Sequence, residues 1–373
     1  MLAIRCIKQI AGWLLVGLAV GYVPGAQAAQ VEGLYQAQVP VKTQTREERL
    51  EVYPAALAQV VVKLSGDRSV PELPELSGLM GNAVSLVQQF QYAELPPGDE
   101  TLLEDGYKRL LVARFDGQAV SQALIEANVP LWGSTRPEVL LWLAIEDRET
   151  RYLLGANAAA ELESRLEAQA ARRGLPLMLP LLDLDDRRQV DFGDVWGDFH
   201  HTVMQASARY SADTVLIGRL IRAEDGAWRT RWSLHYAAAP NTPSEFWQAQ
   251  VNSQEEALAV GIDGAADRIA RRYAQLYSPD SADSVALTVT GVGGMAGYAR
   301  AMDYLESLDI VTAVEVARVR QEEVLFRVAI RGDARGLEQS IRLGSTLARD
   351  AEAQPPAENE LTSARTFVYR LLP

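Results

Sequence analysis

The stretch Val139-Leu140-Leu141-Trp142-Leu143-Ala144-Ile145 decides how this chain folds, because an unbroken apolar run without polar alternation describes a strand buried on both faces. Two further apolar runs follow it, Leu175 to Leu182 and Thr214 to Ile221. Between the three lie helix-like stretches, one rich in Ala, Glu and Arg from about Asn157 to Arg173, the other from about Val195 to Tyr210. The order β-α-β-α-β predicts parallel strands joined by right-handed crossovers, with helices on both faces of the sheet. Glu224-Asp225-Gly226 turns the chain into Trp228 to Tyr236, an antiparallel partner, and a helix from about Gln254 to Tyr277 closes a three-layer α/β domain over 137–277.

Working outward, residues 31–132 read as a mixed α/β unit. Leu34 to Val41 alternates like a strand with one wet face, and a helix from about Arg46 ends at Ser65-Gly66 with Ala56, Leu57, Val60, Val61 and Leu64 at helical spacing. Leu79 to Gln91 is expected to form a second helix. Leu110 to Phe115 reads as a strand, Asp116 as a helix cap, and Gly117 to Ala127 as the helix it caps. On the other side, the linker Ser278-Pro279-Asp280-Ser281 opens a third unit over 284–373, with a Pro/Glu-rich loop around Pro355-Pro356 before its last strand. Its order β-α-β-β-α-β is that of a ferredoxin-like domain. The fold class is thus α/β plus α+β in three units.

The start of the chain carries Arg5 and Lys8, an apolar run from Ile10 to Val20, Pro24, and the small residues Ala26 and Ala28. These are the parts of a secretory signal peptide over residues 1–28, cleaved between Ala28 and Ala29; the run is too short for a spanning helix, which needs about 20 apolar residues. Export to a bacterial periplasm is the expectation, with no membrane insertion after cleavage. Cys6, the single cysteine, leaves with the signal, so neither a disulfide nor a thiolate site is expected in the mature chain. Removal of Arg5 and Lys8 leaves 34 basic against 49 acidic residues, a formal charge of −15. Such a charge repels nucleic acid and anionic lipid.

Candidate sites come with plain alternatives. Asp183, Asp185, Asp186, Asp191, Asp194 and Asp198, followed by His200-His201, form an acidic stretch that could hold a cation. Arg188 stands where a calcium loop counted from Asp183 needs Gly, and adjacent histidines point about 100° apart on a helix. The stretch is read as a solvated loop, with Asp191 or Asp194 capping the helix that carries both histidines, and no metal is expected. By position, residues beyond the carboxyl ends of parallel strands are favoured for binding. These are Glu146, Asp147 and Arg148 after the first strand, and Asp183, Asp185 and Asp186 after the second. Gly291-Val292-Gly293-Gly294-Met295-Ala296 fits a relaxed dinucleotide fingerprint, yet a hairpin follows it rather than a second β-α-β unit, so it reads as a turn and no cofactor is expected. Serine-nucleophile and zinc-peptidase motifs do not occur. Trp132, Trp142, Trp196, Trp228, Trp232 and Trp247 read as core or seam filling, Trp228 and Trp232 sharing one strand face.

The block Trp132-Gly133-Ser134-Thr135-Arg136-Pro137-Glu138, with Val39-Pro40-Val41 and Leu64-Ser65-Gly66 upstream, resembles an uncharacterised proteobacterial envelope family, a domain of unknown function numbered two-zero-six-six. Trp132, Gly133, Arg136 and Pro137 are its most specific residues. The resemblance implies an exported protein and lends no catalytic residue. The resulting expectation is a non-catalytic periplasmic accessory protein that binds another envelope protein. The alternatives are a metal-assisted or carboxylate hydrolase built on Asp183 to His201, and a small-ligand or glycan binder.

Overall fold

In the computed structural model, residues 29–95, 100–156, 160–237, 239, 242–277, 282–320, 322–350 and 366–372 are described. Residues 1–28, expected above to be a signal peptide, the 278–281 linker and the Pro355-Pro356 loop lie outside them. The first unit comprises β1 (Ala29–Gln30), β2 (Gln36–Val41), α1 (Arg46–Ser65), α2 (Ser77–Gly81), β3 (Val87–Ala93), α3 (Glu100–Glu104), β4 (Arg109–Phe115) and α4 (Gly117–Glu126). Thr45 caps α1 by accepting from the Glu48 amide, and Gly66 ends it at φ 72°, a left-handed turn that suits glycine. Helix α1 buries Tyr53, Leu57, Val60, Val61 and Leu64 in one core with the sheet β2-β4-β3.

The expected helix from Leu79 to Gln91 is not formed. Helix α2 stops at Gly81, a 3-10 turn covers Ala83–Leu86, and Val87–Ala93 pairs with β4 as a strand. Gly78 and Gly81 weaken the helix, while Val87, Phe90 and Tyr92 are strand formers.

Strand β5 (Thr135–Arg136) leads into the central unit. This comprises β6 (Val139–Asp147), β7 (Thr150–Leu154), α5 (Ala160–Arg173), β8 (Leu177–Met178), α6 (Leu184–Gln189), α7 (Phe192–Gly197), α8 (His200–Ser207), β9 (Thr214–Arg222), β10 (Trp228–Tyr236), β11 (Glu245–Val251) and α9 (Gln254–Tyr273). The sheet runs β11-β10-β9-β6-β7, with β8 also on β6. Helices α5 and α9 cover one face in a core holding Trp132, Trp228 and Trp232; α7 and α8 cover part of the other around Trp142.

Three expectations are corrected in this unit. The second apolar run yields only the two-residue β8, because Pro176 and Pro180 lack the amide a ladder needs. Beside β6 that run is replaced along most of the length by the antiparallel β7, so β6 and β9 form the long parallel pair. The stretch Asp183–Asp198 is largely helical: Asp183 caps α6, and Asp191 and Asp194 form a reciprocal capping box on α7. That α7 then ends at Asp198, in the left-handed region at φ 58°, divides the single helix expected over Val195 to Tyr210.

The third unit contains β12 (Ala282–Thr290), α10 (Met295–Ser307), β13 (Val311–Arg320), β14 (Glu323–Arg331), α11 (Ala334–Leu343), β15 (Leu347–Arg349) and β16 (Thr366–Leu371). The order β13-β14-β12-β16 is ferredoxin-like. The extra strand β15 sits antiparallel to β16, and this reversal makes β16 parallel to β12. No described helix is long and apolar enough to cross a membrane.

Candidate functional site

The six strand-end residues do not converge on one ligand position; their contacts belong to two separate networks. Strand β6 hairpins directly into β7, placing Arg148 in the turn at φ 56°. Glu146 accepts from Arg151 at 2.8 Å, and Asp147 pairs with Arg222 at 3.4 Å. The second network is centred on Arg209, which grips both oxygens of Asp183 at 2.7 and 2.9 Å and reaches the fully buried Asp186 at 3.1 Å. Arg209 holds the Asp183 carboxyl well below the usual carboxylate range. Asp186 also accepts from the Leu182 amide and the Tyr210 hydroxyl, while the exposed Asp185 pairs with Arg188 at 3.5 Å. Both networks fasten helix or hairpin ends. His200 stacks on His235 at 5.4 Å, and among the described residues no three His, Cys, Asp or Glu gather as a metal would require. In the glycine loop Gly291, Gly293 and Gly294 have positive φ and Gly294 caps α10.

The Trp132-to-Pro137 block is a joint between all three units. Arg136 is fully buried and donates to five backbone carbonyls: Gly133 (2.8 Å), Trp132 (2.9 Å), Arg173 (3.1 Å), Gly174 (2.8 Å) and Lys63 (2.7 Å). Its guanidinium lies 3.9 Å from the Trp132 ring centroid. Burial pushes it down to about 9, still charged at neutral pH. Alongside, the buried Arg173 bonds Asp263, Asp267 and the Gly66 carbonyl, tying α5 to α9 and to the end of α1. Gly133 lets Asp309 approach closely: a Cβ there would stand 2.8 Å from an Asp309 oxygen, and that carboxylate accepts from the Ser134 amide and hydroxyl. Pro137 ends the block where β6 begins.

A domain of unknown function, DUF8605, matches residues 28–133. The match spans the first unit and ends inside the joint; its number differs from that of the family resembled above. No curated protein matches the chain. Among solved structures, the PelC L103M dodecamer from Paraburkholderia phytofirmans is 13% identical, over 37% of this chain and 85% of that one, with a TM-score of 0.18. A crystal structure of an uncharacterized protein is also 13% identical, over 37% of this chain and 98% of its own, at a TM-score of 0.15.

Among the surfaces outside the expected residues are a cleft and a groove. A cleft of about 480 Å³ lies between the first and central units, walled by Pro40, Leu110, Leu175 and Leu177. The Lys63 ammonium lines it and donates to the Gln36 carbonyl at 2.8 Å; burial, reinforced by Arg136, pushes it down to about 8. The second surface is on the central sheet. Helices α7 and α8 pack over β6 and the start of β9, and a groove of about 530 Å³ remains over the other end of β9, β10 and β11. It is lined by Trp196, Arg219, Ile221, Arg229, Arg231 and Gln248. Trp228 and Trp232 occupy even positions of β10 and face the α5–α9 core. By the same parity Arg229 and Arg231 face the opposite side, and that was the available signal.

Proposed function

We propose that this is an exported periplasmic protein without catalytic function that works by binding another envelope protein, and that the partner docks as a strand on β11. The observation that carries the proposal is the state of that sheet edge. Strand β11 pairs with β10 in unbroken register from Glu245 to Val251; its one charge, Glu245, stands at the first position, and Phe246–Val251 contains no charge and no proline. Phe246 is 59% exposed. Other edges are guarded against strand addition: β13 and β3 carry register shifts, β2 contains Pro40, β7 carries Arg151, and β15 has three residues. An unguarded edge presents a row of backbone groups that a partner strand can pair with. The signal-peptide pattern of residues 1–28 supports the location.

The test is photo-crosslinking in intact cells from a residue installed at the exposed position 248. The expected result is one discrete adduct with an envelope protein, absent when the probe is moved to exposed Arg187. No adduct at 248, or adducts only between copies of this chain, would overturn the proposal.

A further inference from the structure

The groove beside β11 is basic in an acidic protein. The whole chain has 49 acidic and 36 basic residues, yet the groove lining contains Arg219, Arg229 and Arg231 and no carboxylate. Among the described residues neither Arg229 nor Arg231 pairs with an acid. Their placement is also costly to the fold. Arg231 stands directly opposite Arg219 in the β9–β10 ladder, and like charges directly opposite destabilise a strand pair. Arg219 partly turns away, donating to the Trp196 carbonyl, which leaves Arg229 and Arg231 as the free cations of the face.

The geometry points to an acidic extended segment as the occupant: we infer that the strand docking on β11 carries acidic residues at alternate positions and lays them over Arg229 and Arg231. The inference rests on the docking reading above and adds the chemistry of the partner. Arg229 lies opposite Gln250 and Arg231 opposite Gln248, so an amide row separates the arginines from the open edge. Alternate residues of a strand repeat about every 7 Å, which is also the Arg229–Arg231 spacing along β10. An added strand would lie about 10 Å from β10, two ladder spacings away. Glutamate and arginine side chains reaching toward one another span that interval over Gln248 and Gln250. Charge-assisted pairs so formed would offset the repulsion stored between Arg219 and Arg231. Phe246 on the same face continues the surface with an apolar contact for the segment's end.

The probes are two synthetic heptapeptides, one alternating threonine with glutamate and one alternating threonine with glutamine, titrated calorimetrically into the mature protein at low salt. The wild type is expected to bind the glutamate peptide at least tenfold more tightly, and R229Q/R231Q is expected to lose that preference. The double variant should melt no lower than the wild type, since it removes like charges, so a null result cannot come from unfolding. Equal affinity for the two peptides, no binding of the glutamate peptide, or a preference unchanged in R229Q/R231Q would overturn the inference. The two readings fail separately. An adduct at position 248 that is undiminished in R229Q/R231Q keeps docking and removes the acidic partner; a glutamate preference without any adduct in cells keeps the anion site and removes the envelope partner.

Discussion

Replacing Arg136 by methionine should be among the most damaging single changes available to this protein. The guanidinium is fully buried and serves five carbonyls, one from the end of α1, two from the end of α5 and the residue after it, and two from the connecting block. A hydrogen bond to a charged group contributes about 1.5–3 kcal/mol net, so five of them set a gross loss near 10 kcal/mol. Against this stands the desolvation of a cation held among carbonyls rather than a carboxylate, several kcal/mol that the variant recovers. The difference leaves about 4 kcal/mol, a large share of the roughly 5–15 kcal/mol that holds a typical protein folded. Because the acceptors lie in different units, the loss should also uncouple them. Urea unfolding followed by both far-ultraviolet dichroism and tryptophan fluorescence should show a lower midpoint and transitions that no longer coincide. R136K, which keeps the charge without the planar fork, should fall between the two. A methionine variant within 1 kcal/mol of wild type, with coincident transitions, would refute the reasoning.

Lys63 and Gly261 give two further expectations. Lys63 titrates near 8 in the fold against about 10.5 for an ordinary lysine, so between these values the unfolded chain binds the extra proton. Lys63 should therefore make wild-type stability rise by about 3 kcal/mol as pH increases from about 8 to 10.5, with the full penalty present below pH 8; in urea melts the rise in K63M should be smaller than that of the wild type by about this amount, and an equal rise in K63M would contradict the assignment. At Gly261 in α9 a Cβ would stand 2.3 Å from the Trp232 indole, which is already pressed from the other side at Gly218. G261A should cost about 3 kcal/mol, measured as a loss of stability in urea.

The units built on uniform periodicity were legible. The long apolar run of β6, the helical spacing of α1 and the β-α-β-β-α order of the third unit all reappear, because burial on both faces or on one stripe leaves a direct trace in the sequence. Errors arose where local chemistry competes with pattern. Pro176 and Pro180 sit within an apolar run and reduce it to two paired residues, and Asp198 adopts a left-handed turn inside an otherwise helical stretch. The strand β7 was missed because Thr150–Leu154 is too short to show a period. The joint residues were singled out by resemblance, and their reason appears only in three dimensions: Arg136 reads the backbone of Lys63 and Gly174, far away in sequence.

The candidate surface was illegible for a different reason. Aspartates attract attention when they cluster along the chain, yet here such neighbours serve one another as caps and Arg209 neutralises the two nearest the strand end. Arg219 and Arg231 lie far apart in sequence and become neighbours only through the β9–β10 register, which also brings Gln248 and Gln250 alongside. A sheet selected for stability alone would place an acid opposite one of those arginines or cover the face with a helix. Instead α6, α7 and α8 are short, α7 and α8 meeting β10 at Ser233 and His235 and leaving Arg229 and Arg231 in an open groove, so the face is left cationic beside the β11 edge. Both features cost stability or invite association when the protein is alone, and a single acidic strand added at β11 would relieve both.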